Sequence, residues 1–280
     1  GIIIPKGDMH GINYDFCEVL PVQLSGHVFH DRNDNGLMET GEEGLANVQI
    51  LVRRTAGLQT SDVFANWNNI TVTTDSNGYY SVMGLPPGVY EIIEINQYPN
   101  QTNPLTGFLD GKDMVGSVNG TTRGISGEDQ HTQVLLHAGD NSLNNNFGEL
   151  KPVTIEGYVS QVDRNGNCTK PGDATYVGIQ GVTIELYNSR GQMVSTTKTK
   201  SDGTFEFTGL FPGSYTIKQI QPAAYLDGAD HIGTVNGLSQ GVVSANDTIS
   251  QINLMSGQAG LKYGFCEHLP ASVAGRVFHD

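Results

Sequence analysis

The chain has 280 residues and sets 15 Lys and Arg against 29 Asp and Glu, a formal charge of −14 that excludes nucleic acid and anionic membrane, both of which need a basic surface. Thirty-six glycines, few charges and Thr-rich, β-branched runs between turn residues argue for an all-β chain, and no helical pattern is found. No apolar run reaches the roughly eighteen residues of a membrane-spanning helix, so no membrane insertion is expected in this segment, and two domains of ordinary size fit the length.

Read from the N-terminus, the chain shows no start Met or signal peptide. Asn13–Asp31 (NYDFCEVLPVQLSGHVFHD) matches Lys262–Asp280 (KYGFCEHLPASVAGRVFHD), 249 positions further on. A copy at half that distance, Asn144–Asp163 (NNNFGELKPVTIEGYVSQVD), makes the repeating unit one domain of about 120 to 130 residues. Residues 1–20 are therefore expected to be the C-terminal strand of a preceding module. Residues 21–150 and 151–269 make two complete modules, 270–280 begin the first strand of a following one, and a longer parent protein is expected.

Between the first two apolar runs lies His30–Gly44, HDRNDNGLMETGEEG. From Asp31 it fits D-x-N-x-N-G-x5-E, with Asp31, Asn33, Asn35 and Glu42 as oxygen ligands, Leu37 lending its carbonyl and Glu39 at the position that often acts through water. A hard cation needs six to eight converging oxygens, and alternate side chains around a glycine turn supply them, so calcium is the expected cofactor. The competing readings are a solvated acidic loop and a general acid/base pair, Glu42 with Glu43, that has no nucleophile nearby. Both flanks read as strands, so this would be a calcium loop without an EF-hand's helices.

Next comes an insertion, Thr55–Ile70, carrying Phe64 and the only tryptophan, Trp67; the second module has only NSRGQ there. These aromatics either fold back as a satellite core or form an interface to a subunit or ligand. The alternating runs Val89–Ile95 and Tyr215–Ile220 read as strands. Asn77-Gly78 and Asp202-Gly203 supply positive-φ turn residues, and Pro86-Pro87-Gly88 and Pro212-Gly213 make the next turns. Phe108–Gly120 answers Tyr225–Gly237, so Asp110 and Asp113, with Asp227 and Asp230 as their repeats, mark a possible second metal site or plain turn chemistry.

The second acidic loop, DRNGNCTKPGDATY, keeps Asp163, Asn165 and Asn167 but puts Cys168 at the glycine position and Ala174 at the closing Glu, with Asp173 displaced by one. A weaker or absent calcium site is expected there unless Asp173 or another carboxylate completes the shell. His27, His30, His131 and His137 lack metal-site spacing, and no Ser-His-Asp order, phosphate loop or zinc signature appears, so no catalytic residue is assigned.

About seven alternating runs per module add up to a β-sandwich. The motifs Gly26-x-Val28-x-x-Asp31-x-Asn33-x-Asn35-Gly36, Gly84-Leu85-Pro86-Pro87-Gly88-x-Tyr90, Leu109-Asp110-Gly111-x-Asp113 and Asn145-Asn146-Phe147-Gly148-Glu149 carry a resemblance. On them the chain resembles the SdrD B-like domains of serine-aspartate-repeat surface proteins, within the Cna B-type, prealbumin-like (Ig-like) sandwich family. The resemblance implies an extracellular, cell-surface, calcium-stiffened stalk or adhesin module without catalytic activity. Many Cna B-type relatives carry a Lys–Asn isopeptide bond between first and last strands; here Val22–His30 and Val153–Val162 contain no Lys, so that cross-link is not expected.

Only the second module has Cys in its acidic loop, and only it has Cys266 where the first has Gly148. In a prealbumin-like sandwich the first and last strands run parallel and adjacent, so the resemblance implies a Cys168–Cys266 disulfide, with three free thiols as the alternative. The partner of Cys17 is expected outside the chain. The expected function is a tandem-repeat stalk, fibre or filament, with neighbouring modules or subunits of the same protein as partners. The alternatives are an adhesin gripping a surface protein or glycan, through Phe64 and Trp67, and an arm presenting a distant enzyme.

Overall fold

The computed structural model describes residues 18–58, 64, 66–96 and 102–279; Cys17 lies outside them. The described residues contain strands and turns and no helix. The reason is local: residues that face the core alternate with residues that do not, as in Gly88–Ile95, where Gly88, Tyr90, Ile92 and Glu94 are buried and the residues between them are only partly so.

The first sandwich has one sheet in the order Asn141–Ser142, Val22–His30, Phe147–Leu150, Leu109–Asp110, with Glu43–Gly44 and Tyr79–Leu85 also paired to Val22–His30. The facing sheet runs Ile125–Gly127, Gln130–Leu136, Gly88–Ile95, Gln49–Ala56, Ile70–Thr73. Leu24, Phe29, Ile50, Val52, Tyr80, Ile92, Val134 and Phe147 fill the space between them. His131 is buried with them, stacked on Phe147 at a 4.5 Å centroid distance. Burial holds its pKa down at about 4.

The second sandwich repeats the plan. One sheet runs Thr204–Leu210, Val153–Gln161, Ala259–His268, Gly233–Val235, Leu238–Gln240, with Leu226–His231 also paired to Ala259–His268. The other runs Met193–Lys198, Thr183–Asn188, Gly213–Gln219, Thr248–Leu254, Val242–Ala245. Its core includes Ile155, Val159, Leu186, Phe205, Phe207, Ile217, Tyr263 and Phe265. First and last strands pair in parallel, Ser160 opposite Cys266, which brings the end of the last strand beside the loop that follows the first. Among the described residues the second sandwich has eleven strands against the expected seven because Leu226–His231, Gly233–Val235, Leu238–Gln240 and Val242–Ala245 add to its two sheets.

Two turn devices recur in both sandwiches. At the tight hairpins only the glycine takes positive φ, Gly78 at 71° and Gly203 at 80°, and a Cβ on Gly78 would meet Val28 O at 2.1 Å. Asn77, read from sequence as a second positive-φ residue, stays in the ordinary region because Asp75 Oδ1 accepts from its backbone N–H at 2.8 Å and closes the turn. The Gly-Leu-x-Pro-Gly-x-Tyr turns are held by their own tyrosines: the Tyr90 hydroxyl donates to Pro86 O, and the Tyr215 hydroxyl to Phe211 O at 2.6 Å. Residues 270–279 carry no strand, and Val273, Val277 and Phe278 are exposed there.

Candidate metal centres

In the loop after the first strand, Asp31 is fully buried. Its Oδ1 accepts from Asn33 N–H at 3.1 Å and its Oδ2 from Gly36 N–H at 2.6 Å. The Asp31 N–H donates to Glu149 O at 2.9 Å, tying the loop to the last strand. Asn33 and Asn35 side chains converge on one Glu39 oxygen, at 2.8 and 3.0 Å. Glu42 accepts from the backbone N–H of Arg32 at 2.8 Å and of Glu39 at 2.9 Å, which folds the closing carboxylate back over the loop. Lys112 reaches in from the facing loop, its N–H donating to Asp34 Oδ1 at 3.0 Å and its ammonium to Asp34 O at 2.6 Å. The donor set is all oxygen once the two amides turn their carbonyls inward, which suits a hard cation.

The second module's loop closes differently. Asp163 Oδ1 accepts from the N–H of Asn165 and of Asn167, both at 2.8 Å, and Oδ2 from the Asn167 amide at 3.1 Å. These bonds hold the carboxyl below its usual range. Asp173 caps its own turn, accepting from Lys170 N–H at 3.0 Å. A disulfide joins Cys168 to Cys266, with Cα atoms 5.6 Å apart, and the loop also touches the second module's aspartate strand through Cys168 Sγ and Ala229 O at 3.2 Å.

Against that strand lies a cluster of carboxyl groups. Carboxylate oxygens of Asp227, Asp230 and Asp247 all lie within 4.8 Å of one another. Sheet register explains the meeting: Asp227 pairs with Glu267, Asp230 with Phe265, and a bulge between them turns both aspartates inward. Asp247 sits at positive φ in a hairpin, and its carbonyl accepts from Gln219 N–H at 2.9 Å. Glu267 is buried beside them and accepts from the Gln219 and Gln221 amides. Burial first, then the neighbouring carboxylates, raises the Asp230 pKa to about 7 and that of Asp247 to about 6, and burial raises Glu267. Asp227 Oδ1, Asp230 Oδ1 and Gln219 Oε1 are buried with no hydrogen-bond partner. Orphaned oxygens on two clustered aspartates and on the glutamine beside them, among four carboxylates, are what a calcium ion satisfies.

The sequence pointed to Asp227 and Asp230 and missed Asp247, Glu267 and Gln219. Two signals were present: the repeated Phe-x-Glu that ends each module, and an Asp at the same hairpin position in both, Asp129 and Asp247. By that register Glu94, Asp110, Asp113, Asp129 and Glu149 are the first module's counterparts of Gln219, Asp227, Asp230, Asp247 and Glu267. Glu94 N–H donates to Asp129 O at 2.9 Å, as Gln219 does to Asp247. In the insertion, Phe64 folds back under the Arg54 guanidinium, 5.9 Å from its ring centre, while Arg54 donates to Phe64 O and Pro87 O. Trp67 packs edge-on to Phe64 at 6.5 Å.

The family model described as "SdrD B-like domain" matches residues 22–146 and 155–265. Serine-aspartate repeat-containing protein D of Staphylococcus aureus (strain Newman) is 30% identical over 228 residues, 81% of this chain and 15% of that protein. Serine-aspartate repeat-containing protein F of Staphylococcus epidermidis (strain ATCC 12228) is 26% identical over 261 residues, 89% of this chain and 14% of that protein. The chain thus spans about a seventh of the length of these relatives. The shaft pilin SpaA of Lactobacillus rhamnosus GG superposes over 92% of the chain at 13% identity, with a TM-score of 0.32.

Proposed function

This chain belongs to the SdrD B-like domain family, and from that membership we propose that it is a spacing segment of an extracellular stalk, its loops pinned by calcium and without catalytic chemistry of its own. The family places it on the cell surface as a structural repeat module. The observation that carries calcium is the set of orphaned buried oxygens on Asp227, Asp230 and Gln219. In the second module Asp227, Asp230, Asp247 and Glu267 would hold the ion. In the first, Asp110, Asp113, Asp129, Glu149 and Glu94 take the same roles, and Asp31, Asn33, Asn35, Leu37, Glu39 and Glu42 hold a further ion.

The bound cation cancels carboxylate repulsion and joins segments far apart in sequence: the aspartate strand, the hairpin and the last strand. Stiffness follows because opening any one of them then exposes a charge cluster. Only Lys151 and Pro152 separate Phe147–Leu150 from Val153–Gln161, so the connection has little chain to flex. Protease resistance and small-angle scattering with calcium and with a chelator test the reading. Faster cleavage and a broader distribution of lengths in chelator are expected; identical behaviour in both would overturn calcium stiffening.

A second reading, a ligand-gripping adhesin segment, draws on Trp67, 38% exposed although packed on Phe64. Trp67→Ala that abolishes binding to a surface protein or glycan while leaving length and calcium response intact would favour it.

A further inference from the structure

At the foot of the second module's loop, Cys168 Sγ, Cys266 Sγ and a ring nitrogen of His231 lie within 4.8 Å of one another. His231 ends the strand Leu226–His231 and stands opposite Gly264 on the last strand. Residues two apart share a face of a strand, so Gly264 and Cys266 point the same way. Gly264 has no side chain to stand between the imidazole and Cys266, and a Cβ there would meet the Tyr158 ring at 2.5 Å. Cys168 arrives from the other side, bridged to Val162 at the end of the first strand. Cys266 is buried, Cys168 half-buried and His231 exposed, so the cluster opens to solvent on the histidine side.

The internal repeat singles out the same three residues. At the positions of Cys168, His231 and Cys266 the first module has Gly36, Met114 and Gly148. A disulfide alone accounts for two of these differences and leaves the histidine unexplained.

We propose that in the reduced chain Cys168, His231 and Cys266 bind a soft divalent metal of the zinc type, with water as fourth ligand. A dithiol supplies two electrons and two protons, the S–S bond breaks to two thiols, and the dithiol becomes a disulfide. The metal then displaces both thiol protons to solvent and takes the neutral imidazole. Tetrahedral zinc with sulfur at about 2.3 Å and nitrogen at about 2.0 Å sets ligand atoms roughly 3.3 to 3.8 Å apart, inside the span of this cluster. Two thiolates and an imidazole select such a metal over calcium, which takes the all-oxygen sites. A disulfide oxidant takes up the two electrons and two protons from solvent and leaves as two thiols, which re-forms Cys168–Cys266 and releases the metal, so the pair serves as metal ligands or as a cross-link, never both.

The test uses the full chain carrying Cys17→Ser, reduced with a dithiol, desalted without air, and saturated with calcium so that the carboxylate sites are filled. Cobalt(II) is the probe. One equivalent with tetrahedral d–d absorption and thiolate charge-transfer bands is expected in the reduced chain, displaced by zinc and absent from the oxidised chain. His231→Ala is expected to weaken cobalt binding about tenfold or more and Cys266→Ser to abolish the thiolate bands. Adding cobalt during refolding of the reduced chain gives the same reading from the unfolded side. Absence of thiolate bands under both orders of addition, or full-strength binding in His231→Ala, overturns the proposal.

Discussion

The two modules solve the same problem at the same place with different chemistry. Each must fix a long connection between its first strand and the facing sheet. The first does so with a buried Asp31 that accepts two backbone N–H groups and a ring of oxygen donors around it. The second has a half-buried Asp163 that closes only its own turn, and ties the loop to the last strand with Cys168–Cys266. The carboxylate cluster near the last strand is the part they share by sequence register, as Asp110/Asp113/Asp129/Glu149 and Asp227/Asp230/Asp247/Glu267. A polar anchor and a covalent one are thus interchangeable in the loop, whereas the cluster recurs.

Breaking the covalent anchor gives the largest expected separation. The bridged residues are 98 apart in sequence, so Cys168→Ser is expected to cost the second module about 4.7 kcal/mol by loop-closure entropy. Two-transition calorimetry would show the second module's unfolding displaced and the first's unmoved; equal displacement of both would dissolve the comparison.

Acidity separates the modules next. His131 has a folded pKa of about 4 against an ordinary 6.5, so its contribution is fully present above pH 6.5 and is lost as pH falls toward 4, about 3 kcal/mol at the limit. Asp230 and Asp247 run the other way. Their folded pKa values, about 7 and about 6, are raised, so without calcium their contribution is present below about pH 4 and lost as pH rises toward 7. The second module's transition in chelator should therefore fall between pH 4.5 and pH 7.5, and His131→Phe should remove an acid-side loss from the first.

Calcium at 100 times its dissociation constant is expected to add about 2.7 kcal/mol per occupied site. Asp230→Asn should abolish that gain in the second module only and, in chelator above pH 7, should leave it more stable than the unsubstituted chain, because one uncompensated charge is gone. A calcium response unchanged by Asp230→Asn would place the ion elsewhere. The smallest expected contrast is between loop aspartates: Asp31→Ala costs about 2 kcal/mol by stranding the buried Gly36 N–H and freeing that of Asn33, while Asp163→Ala leaves the melting temperature unmoved.

Much of this architecture could be read from residues alone because periodicity and turn chemistry act locally. Gly88–Ile95 alternates, Gly78 and Gly203 mark hairpins, and the paired appearance of Cys168 and Cys266 reflects a long-range contact that the repeat made visible. What escaped was set by packing across strands. Asp247 and Glu267 lie 20 positions apart, and nothing local says that a bulge at Asp227–Asp230 turns two aspartates toward them. Phe64 resisted reading for the same reason, since its seat depends on Arg54 bonding to Pro87 O, 33 positions away. His131, a histidine in an otherwise apolar core, gave no signal beyond its place in an alternating run.

The central claim, that bound calcium pins these segments, is met most directly by amide hydrogen exchange of the whole chain in calcium and in chelator. Exchange in residues 31–42, 226–231 and 247–248 is expected to slow by about tenfold or more with calcium while the sandwich cores stay unchanged. Equal exchange in both conditions across those three segments would contradict it.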